Sequence, residues 1–328
     1  MPDLDLRLDR PRLDRIRHGA TLVVAQPTVF RISGQGALTC LQGLLTNDLE
    51  RPGDGSLVYG ALLTPKGMIV VDAWVLRQGD SFTLIMPRSG RAAAVDLFTR
   101  QLPPRLARTT DLTGEATVVW LLGGHGFQVL AKSGVGTPEA AGRVVSIGGE
   151  LSPVSVALAP ESAPFVALAV GLSPAVEPIV DRLIAAGAQG GDESDLHAAR
   201  LLSGWPALGV EIDERTLPQE VRYDEIGGVS YTKGCYTGQE TVARLHFRGH
   251  TNRELRGLRW TAPEPLEGRV IVYGAKEVGS VRSTLTLEDR VLGLGVLRRE
   301  IEPGETVTAG GREARVVPLP FGADEVDG

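Results

Sequence analysis

Cysteine is scarce in this chain of 328 residues, with Cys40 and Cys235 its only two. Two thiols cannot build a disulfide framework, and no Cys-x-x-Cys pair is present for a metal or a redox dithiol. A reducing cytoplasm is the compartment this usage predicts. No run of about 18 apolar residues occurs, so no membrane-spanning helix is expected. Met1 to His18 alternates Asp and Arg with Leu, unlike the apolar core of a signal peptide. Positive charge is also in short supply. A formal net charge of −6 argues against a surface built as a whole for a nucleic acid or an anionic membrane.

What is present describes a soluble globular protein. The 42% hydrophobic and 23% charged residues support a packed core, and the length suggests two or three domains. Residues 21 to 32 read as β-strand interrupted by Pro27, and Ser33-Gly-Gln-Gly36 turns the chain. From Ala37 to Leu49 the leucines fall at helical spacing, with Cys40 a core or near-core thiol. The Gly-x-Gly before that helix lacks the third glycine of a dinucleotide fingerprint, where Thr39 stands. Residues 57–64, 67–77 and 81–86 form an antiparallel meander with tight turns. Asp72 sits in its middle strand among Ile69, Val70, Val71, Ala73 and Trp74, where an unpaired carboxylate is costly. It needs either a protein donor or a ligand that offers adjacent N–H groups. A helix over 90–102 follows, and the strand-then-helix order indicates an α+β fold. The middle third is expected to hold short strands at Val118–Leu122, Gln128–Ala131, Val154–Ala159 and Phe165–Val170, then helices over 175–186 and 193–203. Beyond Arg253 the pattern turns all-β, with short strands that suggest a separate antiparallel barrel. The expected domains are residues 1–248 and 249–328.

One stretch carries more chemistry than the rest: Lys233-Gly-Cys-Tyr-Thr-Gly-Gln-Glu240. Thr237 and Glu240 match a capping box, which predicts a helix from Gly238 to about Leu245 and puts Cys235 just ahead of its positive end. That position and the nearby Lys233 favour a thiolate. Buried, inert thiol and reactive or ligating thiol both remain open on this evidence. His246 and His250 are spaced as metal ligands, but Gly249 interrupts the helix between them and no second cysteine is near, so no permanent metal is expected. Between Lys233 and Arg259, six basic residues against two glutamates give a local net charge of +4. This could be a solvated basic face or a site for an anionic ligand.

The eight-residue stretch, with Val242-Ala-Arg244, resembles the signature of the YgfZ family of folate-binding proteins, relatives of the glycine-cleavage T-protein. Gly36-Ala-Leu, Leu41-Gln-Gly43, Thr46-Asn-Asp48, Leu63-Thr-Pro-Lys-Gly67 with Asp72, and Thr216-Leu-Pro-Gln-Glu220 extend the likeness. The resemblance implies a T-protein-like ring of two interleaved α+β subdomains plus a C-terminal antiparallel β-barrel, around a channel for tetrahydrofolate with or without a polyglutamate tail. It further implies a role in assembly or repair of iron–sulfur clusters in client enzymes, including radical enzymes that modify tRNA. Carried over by position, Cys235, Lys233 and Asp72 would be the reactive residues. Asp72, Tyr236, Gly238, Gln239 and Arg244 would hold the folate. Where T-proteins place a folate-binding Glu in an Arg-Leu-Glu-Ala-Gly segment, this chain reads Arg200-Leu-Leu-Ser-Gly204, with Leu202 at that place. Aminomethyl transfer in glycine cleavage is thereby disfavoured. Three functions remain: a folate-dependent accessory protein acting through Cys235, a tetrahydrofolate-dependent one-carbon transferase or demethylase, and an RNA-binding module. The overall charge argues against the last, no membrane partner is expected, and a monomer is the default.

Overall fold

A computed structural model describes residues 5–149 and 152–327. The break at Pro27 has a large consequence. Pro cannot donate to a ladder, and the strands on its two sides, Thr21–Ala25 and Thr28–Ser33, enter different sheets. The first lies in a six-stranded sheet with Gln189–Gly191, Ala116–Leu122, Ala167–Leu172, Val154–Leu158 and Val144–Ile147. The second joins a five-stranded antiparallel sheet with Ser56–Leu63, Ile69–Gln78, Ser81–Met86 and Arg108–Asp111. The chain thus leaves the six-stranded sheet after Ala25, builds the five-stranded one, and returns at Ala116. Two α+β units are interleaved in this way. Helix Arg91–Gln101 buries Ala94, Leu97 and Phe98 in a core with Phe30, Phe82 and Leu84 of the five-stranded sheet. Helices Gly126–Ser133 and Ser173–Ala185 pack on the other sheet.

The C-terminal strands Arg253–Trp260, Val270–Tyr273, Lys276–Thr286, Val291–Arg298, Thr306–Ala309 and Arg312–Val317 pair antiparallel. Pairing of Lys276–Thr286 with Val291–Arg298 closes them into a barrel, which removes exposed sheet edges. Trp260 is fully buried in its core, and its indole N–H donates to the Ala309 carbonyl at 3.1 Å. Asp5–Arg7 adds a parallel strand outside the closed ring, so the N-terminal end of the chain packs on the barrel.

Three local expectations are corrected. Gln128–Ala131 lies inside helix Gly126–Ser133 and is not a strand. Gly123, at φ +88, turns the chain out of its strand, Val129 and Leu130 supply the buried helix face, and Gly134 ends the helix in the left-handed conformation. The helix expected from Ala37 to Leu49 stops at Gln42. Leu44, Leu45 and Leu49 are still buried, but beyond Gly43 the chain turns to pair Thr46 N–H with the Ala61 carbonyl. The capping box of Thr237 and Glu240 does not form. The helix runs Gln239–Arg248 behind Gly238, which has φ +84 and offers no side-chain cap.

Candidate functional site

Register brings Asp72 to its partner. Ala61 faces Asp72 and Tyr59 faces Trp74 across the Ser56–Leu63 and Ile69–Gln78 pair, so all four share one face. The Tyr59 hydroxyl reaches diagonally and donates to Asp72 Oδ2 at 2.9 Å. Behind it, the Tyr223 hydroxyl lies 3.0 Å from that of Tyr59. Asp72 Oδ1 is buried with no hydrogen-bond partner. Burial, the largest influence, pushes the Asp72 carboxyl up to about 6, against the opposing effects of the Tyr59 donor, the residue's own backbone N–H and the Arg200 charge. Burial likewise drives the phenols of Tyr59 and Tyr223 well above their usual range.

Asp72 lines a cavity of about 370 Å³ whose walls include Trp74, Trp120, Phe165, His197 and Trp205. Trp74 and Trp205 stack at 18° with centroids 5.5 Å apart, and Phe165 meets both Trp74 and Trp120 edge to face. Flat aromatic walls with one buried carboxylate suit a planar heterocycle bearing N–H donors. Arg88 and Glu193 also line the cavity and lie 3.4 Å from each other. Arg200, also in the wall, donates to the Trp205 carbonyl at 2.6 Å and to Glu211 Oε2 at 2.8 Å. Glu211, fully buried, also accepts from Ser283, so the cavity is braced against the barrel.

The Lys233–Glu240 segment is a second centre, built differently. The Lys233 ammonium is buried and donates to the carbonyls of Gln42, Leu45 and Asn47 at 2.8, 2.7 and 2.9 Å. An ammonium has three N–H bonds, so none remains for a ligand or for the Cys235 sulfur. Lys233 ties this loop to the 42–47 turn, and it is this cage of carbonyls that ends the helix at Gln42. Burial brings its pKa down to about 8, opposed by the Asp48 charge. Tyr236 is buried beneath it, the ammonium 5.2 Å from the ring centre, and burial pushes the phenol up to about 12. Gly238 is required by contact: a Cβ there would meet the Thr64 carbonyl oxygen at 2.6 Å. Cys235 and Arg244 are exposed, and Gln239 is half-buried. None of residues 233–244 lines the Asp72 cavity. The structure therefore separates the site residues into a buried carboxylate pocket and an exposed cysteine loop. The basic segment is partly neutralised, Arg253 pairing with Glu220 and Arg256 with Glu254, while Arg244 and Arg248 are exposed. Among the described residues, no cluster of His, Cys, Asp or Glu has metal-binding geometry.

Residues 14–138 match the GCVT N-terminal domain family. The tRNA-modifying protein YgfZ of Escherichia coli O6:H1 is 27% identical over 305 residues, 90% of each chain. Its counterpart from Escherichia coli O127:H6 is 26% identical over the same shares. The chain is similar to these YgfZ proteins over nearly its whole length. Among solved structures, the glycine cleavage system aminomethyltransferase T from Bartonella henselae matches with a TM-score of 0.81 at 17% identity, covering 95% of this chain and 89% of its own. The fold is accordingly that of the T-protein.

Leu202 is buried and lines a different cavity, which shares Phe165 with that of Asp72. Sequence reasoning missed Tyr59, Tyr223, Arg200 and the aromatic walls. The usable signal was the alternation that places Tyr59 and Trp74 on one face, but it has meaning only once the register is known. No helix among the described residues is long and apolar enough to cross a membrane.

Proposed function

We propose that the protein is a cytoplasmic, tetrahydrofolate-binding accessory factor for the assembly or repair of iron–sulfur clusters in client enzymes, tRNA-modifying radical enzymes among them, and that it acts through Cys235. The observation that carries the folate half is Asp72 Oδ1, a buried and unpartnered acceptor in an aromatic-walled cavity. The pyrimidine half of the tetrahydropterin is planar and presents adjacent N–H donors, at N3 and the 2-amino group, which fit that oxygen and those walls. The cavity's aromatic walls would lie against the ring and Asp72 would hold its N–H edge. The exposed cysteine on a loop braced by Lys233 supports the client half, because a thiol that serves a second protein has to be reachable. A one-carbon transferase is the second reading. A carboxyl held near 6 can exchange protons at neutral pH, as proton transfer to or from a bound folate would need.

Three of the four tryptophans, Trp74, Trp120 and Trp205, line the cavity. Titration with tetrahydrofolate should quench their emission saturably; a strictly linear response would sink the folate reading. Cys235→Ser should leave the melting temperature within about a degree of wild type, because the side chain is exposed. In an extract of cells depleted of the protein, it should fail to restore client iron–sulfur activity. Full restoration would remove Cys235 from the account.

A further inference from the structure

The two oxygens of Asp72 are treated differently. Oδ2 accepts from Tyr59 at 2.9 Å, while Oδ1 is buried and unpartnered. A phenol has one proton and an ionised carboxylate only accepts. The Tyr59 proton therefore points to Asp72, and the 3.0 Å contact behind it is donated by Tyr223. The result is a one-way chain from Tyr223 through Tyr59 to the carboxylate, in which each bond polarises the next. The Tyr59 ring cannot swing away, since Trp74, Trp205 and Tyr223 surround it with centroids 4.9, 4.8 and 5.5 Å distant.

We propose that Tyr59 and Tyr223 are positioning residues for Asp72, fixing its rotation so that Oδ1 alone is offered to the ligand and holding the carboxylate in its ionised form. This inference rests on the reading of Asp72 as the ligand's carboxylate. Two buried phenols would be satisfied equally by any acceptor at the end of the chain. Asp72 lines the cavity, and a second carboxylate oxygen without a side-chain partner is an acceptor that a ligand there can satisfy. The other charged or titratable groups around Asp72 are Arg200 and His197 on helix Glu193–Leu202, with Glu193 at its start, and Arg88 across the cavity. Arg200 acts in the same direction as the phenols, though its charge is shared with Glu211.

The test combines two readouts over pH 5 to 8 in wild type, Tyr59→Phe, Tyr223→Phe and Asp72→Asn. One is tetrahydrofolate affinity. The other is the infrared band of the protonated carboxyl, assigned to Asp72 by its loss in Asp72→Asn and measured without ligand. Removing the Tyr59 hydroxyl should raise the carboxyl midpoint by about one pH unit, and weaken binding about tenfold below that midpoint. Tyr223→Phe should move both in the same direction but by less, roughly threefold. A general structural role would lower the melting temperature of the variants without moving the midpoint. An unchanged or lowered midpoint in Tyr59→Phe overturns the proposal, as does a larger shift in Tyr223→Phe than in Tyr59→Phe. If the infrared midpoint moves as expected while wild type binds no tetrahydrofolate, the phenol chain stands and the folate reading falls.

Discussion

Lys233→Met should destabilise the protein by about 3 kcal/mol, the order expected when buried carbonyls lose a charged donor. The expected value is the balance of two effects. Met keeps the length of the stem and removes an ammonium whose burial is unfavourable, as its depressed pKa shows. Against that gain, the carbonyls of Gln42, Leu45 and Asn47 lose their common partner, and Leu45 is itself fully buried. The loss is larger because all three oxygens converge on the one ammonium. Lys233→Arg should not rescue, since a planar fork cannot aim three donors at a point as an ammonium does. Denaturant melts of the three proteins measure this. Wild-type stability in Lys233→Met would return Lys233 to a role in chemistry rather than in bracing the cysteine loop.

That revision of Lys233 shows how far the sequence could be read. The meander around Asp72, helix Arg91–Gln101 and the barrel were legible because their apolar spacing and turn residues agree with what tertiary packing later demands. Asp72 was correctly seen to need a partner, but Tyr59 was invisible because a diagonal contact depends on register. The helix over 37–49 was overextended for a different reason. Leu44, Leu45 and Leu49 keep helical spacing and are buried, yet Lys233, some 190 residues away, takes the carbonyls on which the helix would have continued. The Thr237 and Glu240 pair matched a capping box that is absent, because close approach of the Thr64–Gly67 turn holds Gly238 left-handed at the cap position. The position of Cys235 in an exposed loop was not evident from its neighbours, three of which are glycine or buried side chains.

Asp72→Asn should separate stability from binding. In the unfolded chain an aspartate titrates near ~3.9, whereas the folded carboxyl is held up at about 6. Below pH ~4 both states are protonated and the group costs the fold nothing. Between about 4 and 6 the unfolded chain releases a proton that the native state keeps, so wild-type stability falls as pH rises. Above about 6 the deficit is constant, of order 3 kcal/mol at most. Asn does not titrate. Its stability relative to wild type should therefore climb between pH 4 and 6 and then level off, reduced by whatever its own amide leaves unpaired. A variant less stable than wild type by the same amount at pH 4 and pH 7 would mean that the carboxylate is not held against its burial cost.

The variant relieved of this burial cost should also bind more weakly, as expected of a group kept at a site for its ligand rather than for the fold. Calorimetric titration of wild type and Asp72→Asn with tetrahydrofolate at pH 7 is the most direct test. The account predicts a saturable, exothermic isotherm for wild type and at least about a hundredfold weaker binding for the variant, the loss expected when a charged acceptor for N–H donors is removed. Equal affinity in the two proteins, or no heat in wild type, would contradict it.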